Sequence, residues 1–247
     1  EQEPELVAEV EYRAWPADGN LRHAAFRGLR EDKLAKDVTR ESAPADKVEK
    51  PQARKVKLTH PDRIYWPDAG VTKQGLADYY ADVWPKIAPY IVGRPLALMR
   101  APEGIEGQTF FQKHGWRGMR KEIGLFQDPN DSTDEKIIVI DDLDGLLALV
   151  QSAVLEIHPW GSTTKNLEKP DTIIMDLDPG EGVPWARVIE AAREVKRRLE
   201  TAGLAAFVKT SGGKGLHVVT PLKPSAGWDA VKDFAKGIAE AMAADEP

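Results

Sequence analysis

Two aspartates one residue apart, Asp176 and Asp178, close the apolar run in IIMDLDPGEG, residues 173–182. Side chains alternate between the two faces of a strand, so both carboxylates point to the same face. Like charges this close repel each other unless something neutralises them. Mg²⁺ and Mn²⁺ prefer carboxylate oxygens, and two such ions can clamp the oxygens of a phosphoryl transfer. The pair therefore predicts a divalent-metal site, although an Asp-Pro turn that merely ends a strand remains an alternative.

The glycine-rich stretch TSGGKGLHVV, residues 210–219, is the second candidate for chemistry. Glycines let backbone N–H groups approach an anion closely, and Ser211 and Lys214 add a hydroxyl and a cation. His217 follows on the next predicted strand. The spacing differs from the Walker motif, which disfavours an ordinary ATPase. The stretch is typical of a phosphate cradle, and the alternative is a glycine hairpin with a solvated lysine.

A histidine before a proline, His158 in EIHPWG, is the third candidate. The following proline favours an extended backbone at His158, which leaves its ring available to a cleft. A lone histidine is more often structural, so a functional role for His158 requires that it lie near the aspartates.

Cations lie among aromatic residues in LTHPDRIYWPDAGVTKQGLADYY and in TFFQKHGW. The cations are Arg63, Lys73 and Lys113, and the aromatic pair is Phe110 and Phe111. Such alternation suits stacking on bases and contact with phosphates. Core aromatics with solvated charges are the alternative, yet one of two adjacent strand residues must point away from the core.

The elements that position these residues read as a mixed α/β pattern. Helical spacing is predicted over 71–91, with Thr72 as N-cap, and over 184–203 and 228–247. Strands are predicted at RPLALMRAP, QTFFQKHG, TIIMDLDP and on both sides of the glycine turn, whereas KIIVIDDLDGLLALVQSAVLEI reads as a strand, a turn and a buried helix.

Composition sets the outer bounds. The 247 residues suffice for one large or two smaller domains, and 42% apolar with 30% charged residues is typical of a globular protein. The absence of Cys excludes disulfides and thiolate metal sites. The net charge of −6 disfavours a surface that is basic throughout, but a local basic groove can still bind nucleic acid.

Three regions follow from the pattern along the chain. Residues 1–41 read as a strand pair around Asp18-Gly19, residues 42–56 have the composition of a linker, and residues 57–247 form the α/β domain.

Taken in order, seven stretches resemble the polymerase domain of bacterial DNA ligase D, a member of the archaeo-eukaryotic primase superfamily. They are LTHPDRIYWP, TKQGLADYY, GRPLALMR, FFQKHG, LVQSAVLEIHPW, DLDPGEGVPW and TSGGKGLHVVTPL. The series spans nearly all of the last 190 residues and disfavours an α/β domain without nucleotide chemistry. The resemblance implies a primase-polymerase-like fold, α/β or α+β, with mixed sheets flanked by helices.

The resemblance also implies roles for the matching residues. Asp176 and Asp178 would bind the catalytic metals, two Mn²⁺ or Mg²⁺ ions. The nucleoside triphosphate would be bound by Ser211, Lys214 and His217, with His158 near its sugar and Arg100 as a weaker phosphate contact. DNA would be bound by Arg63 and Lys73 at the 5′-phosphate of a break, and by Phe110, Phe111 and Lys113 at the template or terminal base pair.

The first 41 residues resemble the C-terminal end of the OB domain of an ATP-dependent DNA ligase, a short β-rich remnant. RHAAFRGLREDK is similar to its last nucleotidyltransferase motif, in which Arg30 and Lys33 would orient ATP phosphates. The K-x-D-G lysine motif is absent, so we expect no adenylation or sealing by this chain.

One departure concerns the metal site. The family uses a third acidic ligand on a later strand, but the 30 residues after His217 read as a single helix. The chain is therefore expected to be incomplete within this domain. Two functions remain open: a nucleotidyltransferase that adds preferably ribonucleotides to 3′ ends, and a catalytically impaired module that binds breaks through their 5′-phosphate.

The resemblance further implies the setting of the reaction. It is non-homologous end joining of double-strand breaks in bacteria, with ribo- or deoxynucleoside triphosphates as substrates. DNA with breaks, gaps or 5′-phosphate ends and the bacterial Ku end-binding protein are the expected partners, and the expected location is cytoplasmic, at the nucleoid during repair.

Overall fold

The computed structural model describes residues 8–11, 25–29, 56–129 and 131–245. Contacts divide the chain into a smaller unit, Glu1–Ala53, and a larger unit, Arg54–Pro247. In the smaller unit β1 (Ala8–Glu11) pairs antiparallel with β2 (Ala25–Leu29), so the predicted strand pair is confirmed. The predicted turn at Asp18-Gly19 lies outside the described residues, as do Arg30 and Lys33.

In the larger unit, strands come in groups of two or four, and a helix follows each group. In chain order they are β3 (Ile64–Trp66), β4 (Val71–Thr72), α1 (Lys73–Ile91), β5 (Leu96–Arg100), β6 (Phe110–Gln112), β7 (Gly124–Phe126), β8 (Ile137–Val139), α2 (Leu143–Gln151), β9 (Val154–Pro159), β10 (Thr172–Leu177), α3 (Trp185–Thr201), β11 (Phe207–Thr210), β12 (Leu216–Pro221) and α4 (Trp228–Asp245). The predicted mixed α/β class is confirmed. No helix among the described residues is long and apolar enough to cross a membrane.

A five-stranded antiparallel sheet forms the first half of the larger unit. Its order is β6-β5-β8-β7, and β9 pairs with β5 along the other edge. Residues of this sheet pack with α1 and α2 in a cluster of 21 buried side chains, the large core. Val56, which the sequence places in the linker, is buried in this core and 5% exposed.

The start of α1 follows the predicted cap. The Thr72 hydroxyl oxygen accepts a hydrogen bond from the Gly75 N–H at 3.1 Å, which satisfies one of the N–H groups that the first helical turn leaves free.

The predicted helix over SAVLEI is wrong, because α2 ends at Gln151 and Val154–Pro159 forms β9. Ala153 adopts a left-handed φ of 60°, which breaks the helix. The following apolar residues then pair with β5. A short apolar run does not distinguish a buried helix from a buried strand by periodicity, and here strand pairing decides.

A three-stranded antiparallel sheet, order β10-β12-β11, forms the second half. One face packs against α3 in a cluster of six buried side chains, the small core. Met175 and Leu177 of β10 and Leu216 and Val218 of β12 point to that face. Alternate residues therefore point to the opposite face, the open face, which carries Asp176.

A buried ion pair joins the two halves. Both terminal nitrogens of Arg94, just before β5, donate to the carboxylate of Asp171, just before β10, at 2.7 Å each. Arg94 also donates to the Trp160 carbonyl at 3.2 Å, which ties the end of β9 to the same pair. A bidentate pair fixes orientation as well as distance, so it sets the position of β10 relative to β5.

Candidate active site

The aspartates sit at the end of β10, beside the histidine strand. Asp176 lies directly opposite His217 in the register of β10 and β12, and their Oδ1 and Nε2 atoms are 3.3 Å apart. The Asp176 side chain is 56% exposed, whereas that of His217 is 22% exposed. Strand pairing thus brings together a carboxylate and an imidazole that are 41 residues apart in the sequence, and the carboxylate remains accessible to a ligand.

The glycine turn between β11 and β12 folds onto the second aspartate. A Cβ on Gly215 would lie 2.3 Å from the Leu177 carbonyl oxygen and 2.5 Å from Asp178 Oδ1, so only glycine fits. The Ser211 hydroxyl donates to the Gly215 carbonyl at 3.2 Å and accepts from the Gly213 N–H at 3.3 Å. The predicted phosphate cradle therefore lies directly beside the aspartates, with Lys214 exposed at its tip.

The residues present suit oxygen-ligated metal ions only in part. Asp176 and Asp178 offer hard carboxylate oxygens on an open face, which matches the preference of Mg²⁺ and Mn²⁺. Within residues 56–129 and 131–245, no group of three or more His, Asp or Glu side chains is arranged to hold an ion. Among the described residues, Asp176 and Asp178 are thus two neighbouring candidates for metal ligands.

His158 lies on β9 in the five-stranded sheet, whereas the aspartates lie at the end of β10 in the three-stranded sheet. Its Nε2–H donates to Glu156 Oε2 at 2.9 Å, and its ring centroid lies 5.8 Å from that of Phe111. Phe111 is 67% exposed. These three side chains form a second group on the molecule, an aromatic and acidic patch with solvent access. Glu156 has no distinctive sequence signal and was not predicted.

Arg100 is held within its own sheet. Its guanidinium lies 5.3 Å from the Phe110 ring centroid and 4.4 Å from that of Trp116, and its Nε donates to the Ser152 carbonyl at 3.0 Å. Burial lowers the pKa of Arg100. The structure thus places Arg100 beside Phe110 of the partner strand β6 and Trp116 of the segment after it. Phe110 itself remains 40% exposed, so both phenylalanines of the predicted pair reach solvent.

Arg63 and Lys73 meet at the start of α1. The Lys73 N–H donates to the Arg63 carbonyl at 2.8 Å, and the Lys73 ammonium donates to the Thr59 carbonyl at 2.9 Å. Lys73 is only 4% exposed, and burial, together with the nearby Arg63 charge, lowers its pKa. Arg63 donates to the Pro102 carbonyl at 2.7 Å. Two neighbouring positive charges repel each other, and an anion bound between or beside them stabilises both in their charged forms.

Lys113 lies apart from these groups. It is exposed and lines a cleft of about 350 Å³ together with His114, Asp128, Asp131 and Trp160. The residues that line the cleft include acidic and basic side chains, and the Lys113 ammonium is the group there that could contact a nucleic-acid phosphate.

Comparison with known proteins assigns the chain. Residues 72–247 match the family described as the LigD primase-polymerase domain. The chain belongs to this family. Residues 2–33 match the C-terminal region of ATP-dependent DNA ligases. The two family matches thus fall on the two stretches for which the sequence suggested separate origins.

Two curated relatives of this chain are larger proteins. It is 39% identical over 254 aligned residues to the multifunctional non-homologous end joining protein LigD of Pseudomonas aeruginosa, covering 97% of this chain and 30% of that protein. It is 29% identical to the bifunctional LigD protein of Bacillus subtilis, covering 96% and 38%. The chain thus spans about a third of the length of these curated relatives.

A solved LigD domain has the same fold. The polymerase domain of Mycobacterium tuberculosis ligase D, determined in complex with DNA, superposes with a TM-score of 0.69 at 34% identity. The match covers 76% of this chain and 68% of that domain. The predicted primase-polymerase-like fold is therefore confirmed.

Proposed function

We propose that the chain is a metal-dependent nucleotidyltransferase that adds nucleotides, preferably ribonucleotides, to 3′ ends at double-strand breaks. The main support is the hairpin geometry: Gly215 packs against Leu177 and Asp178 so closely that the glycine turn lies beside the two aspartates. Membership of the LigD primase-polymerase family supports the same reaction class. The names of the relatives support bacterial non-homologous end joining as its setting.

Each residue of the site has a defined task in this proposal. Asp176 and Asp178 hold the metals, Mn²⁺ or Mg²⁺, which stabilise the charge on the oxygens of the phosphoryl transfer when bound. His217, 3.3 Å from Asp176, limits rotation of that carboxylate. Ser211 and Lys214 bind the triphosphate of the incoming nucleotide. The proposed reaction needs no covalent enzyme intermediate.

The second group of residues binds the sugar and the DNA. Glu156 accepts the Nε2–H of His158, which fixes the orientation of the imidazole near the nucleotide sugar. Phe110 and Phe111, both exposed, stack on the template or terminal base pair, since aromatic side chains stack on any base. Lys113 adds a phosphate contact, and Arg100 contributes mainly by supporting Phe110.

Single-nucleotide addition tests the proposal. A gapped DNA duplex is incubated with the chain, Mn²⁺ and either a ribo- or a deoxynucleoside triphosphate. We expect faster addition of the ribonucleotide, and His158→Ala is expected to reduce this preference. No addition with either Mn²⁺ or Mg²⁺, despite DNA binding, would contradict the proposal and favour the second candidate function below.

The second candidate is a module that binds DNA breaks without catalysis. It is favoured by the paired cations Arg63 and Lys73 at the start of α1, and by the metal site, for which the described residues supply only two carboxylates. Affinity for a gapped duplex with and without a 5′-phosphate tests it. We expect the phosphate to strengthen binding about tenfold through charge-assisted contacts. Arg63→Ala should remove most of this preference, and an unchanged preference would refute the assignment of Arg63.

The larger protein is a further part of the proposal. The ligase C-terminal region at residues 2–33 supports placement of this chain after an ATP-dependent ligase module. Arg30 and Lys33 would belong to that module, and the bacterial Ku protein would bring the whole to DNA ends.

A further inference from the structure

The open face of the three-stranded sheet carries a row of three polar side chains, one from each strand. Asp176 of β10 lies opposite His217 of β12, and His217 lies opposite Lys209 of β11. Directly opposite residues of antiparallel strands project from the same face. A row of a carboxylate, an imidazole and an ammonium group thus crosses the sheet at the level of Asp176.

Lys209 has no partner that would explain its place. The side chain is exposed, and among the described residues no hydrogen bond or ion pair involves its ammonium. Lysine is disfavoured within strands. One ordinary role of a lysine on an edge strand is to prevent pairing with another sheet. That role requires no alignment with a catalytic row, so the register of Lys209 calls for a second explanation.

The charge balance of the proposed nucleotide site explains the position of Lys209. Two carboxylates and a bound triphosphate carry more negative charge than two divalent cations neutralise. Lys214, at the tip of the glycine turn, provides one further positive charge near Asp178, and Lys209 provides another beyond His217. Neighbouring strands lie about 4.8 Å apart, so about 10 Å separates the backbones of Asp176 and Lys209 across β12. A triphosphate bound at Asp176 and a long lysine side chain together bridge that distance.

We propose that Lys209 binds the β- and γ-phosphates of the incoming nucleotide, so that the triphosphate runs across β12 from Asp176 toward β11. This inference rests on the proposed function, and it adds a residue and a direction to the phosphate site. Ser211 and Lys214 then contact the triphosphate from the turn, while Lys209 contacts its far end from the strand.

Equilibrium binding of ATP and of AMP in the presence of Mn²⁺ tests the proposal. The variants are Lys209→Ala, Lys209→Arg and, as a matched control, Lys223→Ala, which removes an exposed lysine beyond the opposite end of β12. Loss of one charge-assisted contact corresponds to about tenfold in affinity. We expect Lys209→Ala to weaken ATP binding by about that factor and to leave AMP binding unchanged. Lys209→Arg and Lys223→Ala should bind ATP nearly as the unsubstituted chain does.

The outcomes separate this inference from the function on which it rests. Undiminished ATP binding by Lys209→Ala would overturn this inference but not the proposed function. Lys209 would then only prevent pairing of the edge strand with another sheet. Equal losses for ATP and AMP would also overturn it, because they would indicate a general effect on the site. Failure of the unsubstituted chain to bind ATP with Mn²⁺ and to extend a primer would overturn the proposed function and this inference together.

Discussion

The five-stranded and three-stranded sheets of the larger unit are built differently. The five-stranded sheet shares the large core of 21 buried side chains with α1 and α2, and six consecutive residues of α2, Gly145–Val150, are buried. The three-stranded sheet has a small core of six buried side chains on one face, and α4 has no buried residue. The first half therefore supplies stability, whereas the second leaves a sheet face free for charged groups and ligands.

The difference explains where the acidic pair can exist. Two carboxylates at the end of one strand are tolerated in water, where solvent screens them, and would be costly in a core. The small core covers only the side of Met175 and Leu177, so Asp176 stays 56% exposed on the other side. Substitutions in the large core of the first half should thus change stability, and those beside the aspartates of the second half should change chemistry.

The largest expected effect is on stability in the first half. Leu147 of α2 is 1% exposed, and Leu147→Ala should lower the free energy of unfolding by about 2–5 kcal/mol, through lost burial and a residual cavity. Phe234 of α4 is 37% exposed, and Phe234→Ala should cost less than about 1 kcal/mol. Urea unfolding followed by circular dichroism measures both. Equal costs would mean that the contrast between the two halves is wrong.

The next effect is on chemistry in the second half. In Gly215→Ala the new methyl group collides with the Leu177 carbonyl and Asp178, which separates the turn from the aspartates. A displacement of about 1 Å in a reacting site lowers rates by roughly 100-fold, and we expect a loss of that order in nucleotide addition. Gly213→Ala is the control, because its Cβ would meet only Ser211 Oγ at 3.8 Å. If both variants react equally slowly, the close approach at Gly215 is not what matters.

The smallest effect is a pH dependence at the start of α1. Burial and the Arg63 charge lower the pKa of Lys73, so its ammonium is lost at lower pH than that of a solvated lysine. Between the lowered pKa and the ordinary value of 10.5, the unfolded chain binds more protons, and this group therefore favours folding increasingly as pH rises. Affinity for a 5′-phosphate should fall over the same pH range, because the Lys73 ammonium loses its positive charge.

Binding of gapped DNA at neutral pH and at rising pH up to the ordinary lysine value of 10.5 measures this dependence. The advantage given by the 5′-phosphate should fall a few-fold at the higher pH. Arg63→Ala keeps only a small part of the advantage, and that part should fall at higher pH because the charge that lowers the pKa of Lys73 is gone. A phosphate advantage that is constant with pH would exclude Lys73 from the contact.

Much of this architecture can be predicted from local patterns in the sequence. The alternation that ends in Asp176 and Asp178, the glycine turn before His217 and the cap at Thr72 each depend on neighbours within a few residues, and all three are confirmed as structural elements. The assignment of chemistry to these residues stays a prediction.

Features set by distant partners could not be obtained in the same way. The strand at Val154–Pro159 depends on pairing with β5, and the stacking of Arg100 depends on Phe110 and Trp116 from later in the chain. The alignment of Lys209 with His217 depends on strand register, which a single sequence does not display.

The central claim is that the aspartate pair is the chemical centre of the second half. Asp178→Asn keeps the shape of the side chain and removes its charge, and single-turnover nucleotide addition with Mn²⁺ measures the result directly. Loss of a metal ligand is worth several kcal/mol, so we predict a decrease of about 100-fold or more, with an unfolding midpoint that does not fall and with DNA binding retained. Addition at the unsubstituted rate would contradict the claim.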